Sequence, residues 1–256
     1  MKRLAKSRKE LAESRKRIPA SLLESRIPEL PPVRDFAAAL RRPGRRIIAE
    51  LKAASPSKGA IRPELDREVE RLAAGLEAAG AAALSVLTER NFFLGSGMNL
   101  RRARGSVDIP LLRKDFIYDE YQILEARVWG ADAILLIAAM LTPEEFRKLR
   151  AFAASLGLAV LCEAHTADDL DMLLDGGAEI VGINARNLST FDTSLALAGE
   201  LIRQIPAGKI AVAESAIRSA DDLNAMEQLG AKAFLIGETL MRAERPGEKL
   251  CELLSK

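Results

Sequence analysis

Eight short apolar runs recur along the chain, and segments with helical patterns separate them. The runs are apolar at nearly every position instead of alternating with polar residues, which is typical of parallel strands covered on both faces. Between them, apolar residues recur at helical spacing, most clearly over 119–129 and 143–156. The predicted strands are 46–52, 83–88, 110–114, 133–137, 159–163, 180–184, 209–214 and 233–237. Eight strand–helix repeats favour an α/β fold, a closed (β/α)8 barrel of the TIM type.

A weak internal repeat supports this alternation of strands and helices. The segments GAAALSV, GADAILLI, GAEIVGI and GAKAFLI begin at Gly80, Gly130, Gly177 and Gly230, about two strand–helix units apart. We interpret each glycine as the residue that ends a helix in the left-handed conformation, which glycine adopts without a steric penalty. Each segment then introduces an even-numbered strand, so the even strands can be told from the odd ones.

Residues 1–44 precede the first predicted strand and contain predicted helices near 4–17 and 33–41. Residues 2–17 hold eight Lys or Arg and two Glu, which is typical of a solvated amphipathic helix. This stretch lacks the apolar segment of a secretory signal. We expect one domain over 1–256, in which 1–44 is an N-terminal helical extension packed on the barrel.

The composition limits the expected partners and the compartment. The 38 Lys and Arg nearly balance the 36 Asp and Glu, which gives no reason to expect a nucleic-acid partner. No apolar run approaches the ~18 residues that span a bilayer, so we expect no membrane partner. Cys162 and Cys251 lie far apart and form no CxxC motif, which favours a reducing cytoplasm. We expect a cytoplasmic monomer that acts on a small molecule.

Charged side chains stand at the ends of the odd-numbered strands. Strand 1 ends with Glu50 and Lys52, strand 3 with Lys114, strand 5 with Glu163 and strand 7 with Glu214. Side chains inside such a barrel form layers contributed by alternate strands, and barrel enzymes carry their chemistry at the strand carboxyl ends. Solvated strand-end charges are the alternative, but four strands in phase favour a site in the barrel mouth.

These residue types suit proton transfer. Burial and neighbouring charges move the pKa values of Lys and Glu toward neutrality, where both groups can donate or accept a proton. The chain has one histidine, His165, from which neither a histidine metal cluster nor a Ser-His-Asp triad is convincing. The sequence therefore favours acid–base chemistry by lysine and glutamate over zinc chemistry.

Two turns near the end of the chain suit a phosphate group. Ser215 and Ala216 follow strand 7 and lead to Ser219, a predicted helix cap, whereas Gly237 and Glu238 follow strand 8. The loops after strands 7 and 8, together with a helix N-terminus, form the common phosphate site of this fold. One glycine turn would be weak support, but the pair in this position favours a phosphorylated ligand.

Apolar residues stand in several loops where polar residues are usual. Phe93 follows strand 2, Phe116 follows strand 3 and Leu188 follows strand 6. A loop phenylalanine usually anchors its loop by packing, but several around one mouth favour a wall for a flat apolar ring. Arg186, also after strand 6, is either a second anion contact or one half of a surface ion pair.

Seven segments of the chain, in order, resemble the sequence blocks of one enzyme family. They are AELKAASPSKG, SVLTERNFFLGS, LLRKDFI, GADAILLIAAML, GINARNLSTF, AESAI and FLIGETLM, within about 35–254. Together they resemble the indole-3-glycerol-phosphate synthases, barrel lyases of tryptophan biosynthesis. The resemblance implies closure of 1-(2-carboxyphenylamino)-1-deoxyribulose 5-phosphate to indole-3-glycerol phosphate, with loss of carbon dioxide and water. It implies no metal and no organic cofactor.

The resemblance also implies roles for the charged residues. Lys114 is the general acid that protonates the substrate carbonyl as the aromatic carbon attacks it. Glu163 is its acid–base partner, which stabilises positive charge and aids dehydration. Glu50 and Lys52 position and polarise the substrate. Lys52 also has alternative roles, either as a contact of the carboxylate or phosphate or as the acid in dehydration.

The remaining site residues are implied by the same resemblance. Asn184 and Glu214 hold the substrate hydroxyls and the lysines, and Arg186 contacts the anthranilate carboxylate or braces the pocket. The further substrate contacts are Ser55, Ser215, Ala216, Gly237 and Glu238 around the phosphate, and Phe93, Phe116, Leu135 and Leu188 around the ring. The Ser-Pro-Ser segment that contains Ser55 resembles a mobile loop that closes over the substrate.

The chain departs from the family pattern at two positions and leaves two rival functions open. Ala216 stands where the family usually has glycine, which is expected to affect phosphate binding, and Ala185 stands where a second asparagine is common.

A phosphoribosylanthranilate isomerase is the rival enzyme, and it would favour a Cys/Asp acid–base pair. A degenerate barrel that only binds a phosphate metabolite is the rival without catalysis, and it would have lost the charges at the mouth.

Overall fold

The computed structural model describes residues 2–186 and 194–255 of the chain. Within these ranges, eight parallel strands close into a barrel, in which each strand pairs with the next and the last pairs with the first. The strands are β1 (Arg46–Leu51), β2 (Ala83–Leu87), β3 (Leu111–Lys114), β4 (Ala133–Ile137), β5 (Ala159–Ala164), β6 (Ile180–Asn184), β7 (Ile210–Glu214) and β8 (Ala233–Ile236). The predicted (β/α)8 barrel is confirmed.

Helices precede the barrel and follow its strands. They are α1 (Lys2–Arg17), α2 (Ala20–Arg26), α3 (Phe36–Arg41), α4 (Leu65–Ala78), α5 (Gly97–Arg104), α6 (Glu120–Trp129), α7 (Pro143–Ser155), α8 (Ala167–Asp175), α9 (Leu195–Gln204), α10 (Ala220–Gln228), α11 (Glu238–Arg242) and α12 (Pro246–Leu254), with 3-10 turns at Ile27–Glu29 and Ala138–Met140. None of the helices in the described ranges is long and apolar enough to cross a membrane.

Local sequence signals place the ends of these elements. Thr142 and Glu145 form a reciprocal capping box at the start of α7, and Ser219 forms one with Asp222 at the start of α10. The four repeat glycines have φ between 80° and 109°, as expected for left-handed residues at helix ends. Short-range chemistry therefore predicts most of the boundaries.

Two local features differ from the prediction. Helix α3 begins at Phe36 instead of near residue 33, because the Asp35 side chain accepts a hydrogen bond from the Ala38 N–H at 2.7 Å and caps the helix there. The loop after β1 was not predicted to contain strands, yet Ala54–Ser55 pairs with Gly59–Ala60 in a short antiparallel hairpin. This hairpin gives the loop a defined shape beside the barrel mouth.

Helix α3 closes the amino-terminal end of the barrel. Its Phe36 and Leu40 side chains are buried in one cluster with Ile48, Leu112 and Ala133, which come from three different strands. Parallel strands in register present laterally paired residues to the same face, so these side chains meet on the barrel axis. The helix therefore forms an apolar floor opposite the mouth.

The rest of the N-terminal extension contacts the outside of the barrel. Leu23 of α2 packs in a buried cluster with Tyr121 and Leu124 of α6. The Tyr121 hydroxyl donates a hydrogen bond to the Ile18 carbonyl at 2.8 Å. The backbone N–H of Arg34 donates to the buried carboxylate of Asp132 at 2.7 Å. Apolar and polar contacts together hold the extension against the helices and strands.

We expect Phe36→Ala to reduce the free energy of unfolding by about 3–5 kcal/mol, because it removes a buried aromatic ring and leaves a cavity. Chemical unfolding followed by circular dichroism measures this change. Leu22→Ala is the matched control on the same extension, because Leu22 is exposed. The control should change the free energy of unfolding by less than about 0.5 kcal/mol. Equal effects of the two substitutions would contradict the role of α3 as the floor.

Candidate active site

A cavity of about 840 Å³ opens at the carboxyl ends of the strands. This volume is within the range of small-molecule sites. The cavity is lined by every predicted site residue that the structure describes, namely Glu50, Lys52, Ser55, Phe93, Lys114, Phe116, Leu135, Glu163, Asn184, Arg186, Glu214, Ser215, Ala216, Gly237 and Glu238. Leu188, predicted for the ring wall, lies outside the described residues.

The strand register explains why these side chains converge. Glu163 on β5 lies beside Gly182 on β6, and Asn184 at the end of β6 lies beside Glu214 on β7. Laterally paired residues of parallel strands share a face, so all of these positions point inward. A Cβ atom at Gly182 would collide with the Glu214 carboxylate. Glycine at this inward position therefore leaves the space that Glu214 occupies.

Lys114 lies between two buried carboxylates at the base of the cavity. Its Nζ atom is 3.1 Å from Glu163 Oε2 and 2.8 Å from Glu214 Oε2. Burial alone would lower the pKa of Lys114, but the charges of Glu163, Glu214 and Glu50 outweigh burial and raise this pKa above its ordinary value. Lys114 is therefore an ammonium at neutral pH and has a proton to donate.

The two carboxylates beside Lys114 differ in their acidity. Burial raises the pKa of Glu163, but Lys114 and His165 outweigh burial and hold this pKa below its ordinary value. Burial and the charge of Glu163 raise the pKa of Glu214, despite the opposing effect of Lys114. Glu163 is therefore the stronger acid of the two and Glu214 the weaker, so Glu214 is the one that takes up a proton first as the pH falls.

A second ion pair lies on β1, where Lys52 Nζ is 2.6 Å from Glu50 Oε1. Glu50 is buried, and Gly237 after β8 approaches the pair so closely that a Cβ atom there would collide with the Glu50 carboxylate. Glycine at position 237 is therefore needed for this close approach. The lysine and the carboxylate remain beside the turn that was predicted to bind phosphate.

Asn184 joins the turns that follow β6 and β7. Its side-chain oxygen accepts a hydrogen bond from the Ser215 hydroxyl at 2.7 Å and another from the Arg186 N–H at 3.0 Å. Ser215 and Ala216 have φ of 67° and 60°, in the left-handed region that disfavours side chains. The turn is therefore strained at its two central residues, and Asn184 holds one of them in place.

The hairpin after β1 lies across the mouth and contacts the turn after β6. Arg186 donates from Nη1 to the Ser57 hydroxyl at 3.0 Å, and its Nη2 atom is 4.0 Å from Glu238 Oε2. On the other side, the N–H of Ala54 donates to the Phe93 carbonyl at 3.2 Å. The hairpin is therefore connected to loops on both sides of the cavity.

Aromatic rings form one wall of the cavity. The rings of Phe93 and Phe116 meet edge to face, with centroids 6.2 Å apart and planes at 64°. The loop that carries Phe93 is held by the buried carboxylate of Glu89, which accepts the N–H groups of Phe92 and Phe93 at 2.7 and 3.2 Å. The wall is thus positioned by backbone hydrogen bonds as well as by packing.

The described residues offer neither a metal cluster nor a thiol to the cavity. No group of three or more His, Cys, Asp and Glu residues among them could hold a metal ion. Cys162 is buried in the core, where burial raises its thiol pKa to about 12, and Cys251 is exposed on α12. Lysines and carboxylates are therefore the acid–base groups that the described part of the cavity contains.

A sequence model of one family, described as indole-3-glycerol phosphate synthase, matches residues 1–253. The chain belongs to the indole-3-glycerol phosphate synthase family. The indole-3-glycerol phosphate synthase of Dechloromonas aromatica is 44% identical over 258 residues, covering 98% of this chain and 97% of that protein. The protein of the same name from Campylobacter jejuni strain RM1221 is 46% identical over 252 residues and covers 97% of both chains.

Solved structures of other enzymes share the fold of this family member. A 3-hexulose-6-phosphate synthase superposes with a TM-score of 0.65 at 12% identity, over 81% of this chain and 97% of that one. A mutant tryptophan synthase alpha-subunit from Pyrococcus furiosus has a TM-score of 0.62 at 16% identity, over 82% and 97%. At such low identity the likeness shows the barrel fold alone.

Three cations that line the described part of the cavity of this indole-3-glycerol phosphate synthase family member were not predicted from its sequence. They are Lys58, Arg218 and Arg242. Lys58 and Arg218 stand in loops already assigned to the site, and Arg242 lies one helical turn after Glu238, so helical spacing could have found it. Arg242 Nε donates to Glu238 Oε1 at 3.0 Å. These three cations join two acidic lining residues, Glu89 and Asp115, that the prediction also left out.

Glu214→Gln should reduce the pH dependence of stability. Burial, and then the charge of Glu163, raise the pKa of Glu214 from 4.5 to about 8, while Lys114 opposes them. An acid whose pKa is raised by folding stabilises the fold fully below the unfolded value, and this contribution falls as the pH rises to about 8. Glutamine resembles the protonated acid, so the variant should lose less stability over this range than the wild type.

Chemical unfolding at about pH 5 and about pH 8 tests this expectation. Glu248→Gln on α12 is the matched control, because Glu248 is a solvent-exposed carboxylate. The control should follow the wild type at both pH values. A Glu214→Gln variant that loses as much stability as the wild type between these pH values would show that Glu214 is ionised throughout.

Proposed function

We propose that this chain closes the indole ring of indole-3-glycerol phosphate from 1-(2-carboxyphenylamino)-1-deoxyribulose 5-phosphate, as its family membership implies. One structural observation supports the proposal independently of family membership. An ammonium, Lys114, is held by Glu163 and Glu214 at the base of a cavity that has an aromatic wall and basic side chains at its mouth. Such a cavity suits a substrate with an aromatic ring at one end and a phosphate at the other.

In the first part of the reaction, Lys114 donates a proton to the substrate ketone oxygen. The ring carbon that carries the carboxylate then forms a bond to the ketone carbon. Carbon dioxide leaves from that ring carbon, and the electrons of the broken bond restore the aromatic ring. Glu214 has a raised pKa and lies 2.8 Å from Lys114, so it can return a proton to the lysine afterwards.

In the second part, the new hydroxyl leaves as water and the neighbouring ring carbon loses a proton. A double bond then forms between these two carbons and completes the five-membered ring of the indole. Glu163 is the carboxylate that stabilises positive charge on the substrate nitrogen and accepts the proton. Lys52 protonates the leaving hydroxyl in this proposal, because the ion pair with the buried Glu50 holds its amino group inside the mouth. A positioned acid or base typically contributes a factor of about 10²–10⁴ in rate.

The phosphate is assigned to the turns after β7 and β8. Ser215 and Gly237 line the cavity there, together with Ser55 from the hairpin. Lys58 and Arg218 add positive charge at the same mouth, which attracts a phosphate dianion. Ala216 and Glu238 stand in the same turns and are assigned to the phosphate end of the site.

The anthranilate part of the substrate is assigned to the opposite wall. Phe93, Phe116 and Leu135 line the cavity around the position of the ring. Arg186 is assigned to the carboxylate, because its guanidinium lines the same cavity and can form two parallel hydrogen bonds to a carboxylate. Asn184 is assigned to a substrate hydroxyl from its position beside Glu214.

We further propose that the chain works as one domain and as a cytoplasmic monomer, without a nucleic-acid or membrane partner. The packing of Phe36 and Leu40 into the barrel supports one domain. The unpaired thiols of Cys162 and Cys251 support a reducing compartment. The isomerase alternative loses support, because neither cysteine is among the described residues that line the cavity.

Purified protein incubated with the carboxyphenylamino sugar phosphate should develop indole fluorescence. Lys114→Met should lower kcat by about 10²- to 10⁴-fold with the fold intact, because it removes the general acid. Lys148→Met on α7 is the matched control, since Lys148 is exposed and far from the cavity lining, and it should retain activity. Near-normal turnover by Lys114→Met would refute the role of Lys114, and no product from the wild type would refute the function.

Ala216→Gly should lower KM by no more than about tenfold, about 1.4 kcal/mol, with little change in kcat. Ala216 has φ of 60°, and glycine relieves the strain of about 1–2 kcal/mol that a side chain has there. Part of this relief should appear as tighter binding of the phosphate, which does not change during the reaction. Steady-state kinetics separate the two constants. A large change in kcat at constant KM would place this turn at the reacting atoms instead.

A further inference from the structure

The single histidine of the chain lies directly behind a proposed acid–base residue. His165 follows the last residue of β5 and stands two positions after Glu163. Only 8% of its side chain is exposed, and it is not among the described residues that line the cavity. None of the steps proposed above uses this imidazole.

The imidazole and Lys114 approach different oxygens of the same carboxylate. His165 Nε2 is 3.3 Å from Glu163 Oε1, whereas Lys114 Nζ is 3.1 Å from Glu163 Oε2. The Glu163 side chain is only 4% exposed, so water screens neither contact effectively. Glu163 is therefore held between a group in the cavity and a group behind it.

The polar atoms of the imidazole have little else to contact. Neither ring nitrogen has the geometry of a hydrogen bond to a described residue, so the approach to Glu163 is a close charge contact. Burial of an unpaired polar group is unfavourable, and structures rarely contain one without a reason. Attraction to the Glu163 carboxylate offsets part of this cost.

The backbone around His165 is fixed by the start of α8. The N–H groups of His165 and Thr166 both donate to Asp169 Oδ2, at 2.9 and 3.0 Å. Thr166 and Asp169 complete this arrangement as a capping box. The ring is therefore presented to Glu163 from a rigid segment, as positioning of a reacting group requires.

We propose that His165 is a positioning residue, which holds Glu163 by Oε1 and leaves Oε2 for Lys114 and the substrate. This inference rests on the proposed function. The charged or titratable groups around the pair are Lys114 from β3, Glu214 from β7 and Asp169 from α8. In its protonated form the imidazole also stabilises the carboxylate and lowers the pKa of Glu163. Its loss should make Glu163 a stronger base that ionises at higher pH.

Two variants separate positioning from packing. His165→Phe keeps an aromatic ring without polar atoms, and it should lower kcat by about tenfold or more and move the acidic limb of the kcat profile to higher pH. His165→Gln places an amide donor near the position of Nε2, so it should recover part of kcat. KM and the thermal midpoint should change little in either. A wild-type pH profile in His165→Phe, or a Gln variant as impaired as the Phe variant, would overturn the inference.

A measurement without substrate tests the contact itself. Because the chain has one histidine, NMR of the untagged protein reports the imidazole of His165 alone. Glu163→Gln removes the carboxylate 3.3 Å from Nε2, so the resonances of the ring should move from their wild-type positions at constant pH. Glu248→Gln on the exposed face of α12 is the control and should leave these resonances unchanged.

The two experiments distinguish the failure of each proposal. Unchanged His165 resonances in Glu163→Gln overturn the positioning role whether or not the wild type turns over the substrate. Changed resonances together with an inactive wild type support the contact and refute the proposed function.

Discussion

The buried contact of Lys114 with Glu163 and Glu214 is the interaction on which the rest of the site depends. Charges in a barrel interior lose hydration, and removing one partner of a buried pair typically costs about 3–5 kcal/mol. The barrel meets this constraint because Lys114 faces both carboxyl groups, and the raised pKa of Glu214 favours its neutral form beside Glu163. The apolar floor formed by Phe36 and Leu40 seals the other end of the barrel and excludes water from below.

The same constraint explains the unusual backbone around the mouth. Gly182 and Gly237 stand where a Cβ atom would collide with Glu214 and Glu50, respectively. Ser215 and Ala216 instead accept left-handed backbone conformations, which are strained for residues with side chains. The backbone is therefore accommodated by glycine at one position on β6 and one position after β8, and by left-handed conformations in the turn after β7. Gly237, Ser215 and Ala216 line the cavity.

Much of the fold and of the site was predictable because it depends on local patterns. Apolar runs and helix caps such as Thr142 place the strand and helix ends to within a few residues. The parity of the strands then predicts Lys114 and Glu163 in one mouth. The hairpin after β1 was missed, because its short strands follow from pairing between Ala54 and Ala60 and not from periodicity. Arg242 was missed because its helix is only five residues long, so its spacing from Glu238 is a weak signal.

The sequence by itself determined the barrel, its mouth and the residue types gathered there, because strand period and motif order are properties of neighbouring residues. Only the tertiary structure decided how those residues act on one another. Lys114 and Glu214 are 100 positions apart in the chain, yet their side chains are 2.8 Å apart. Coulomb energies depend on such distances and on burial, so two chemically identical glutamates acquire opposite pKa shifts. The role proposed for His165 likewise depends on its contact with Glu163, which only the folded chain contains.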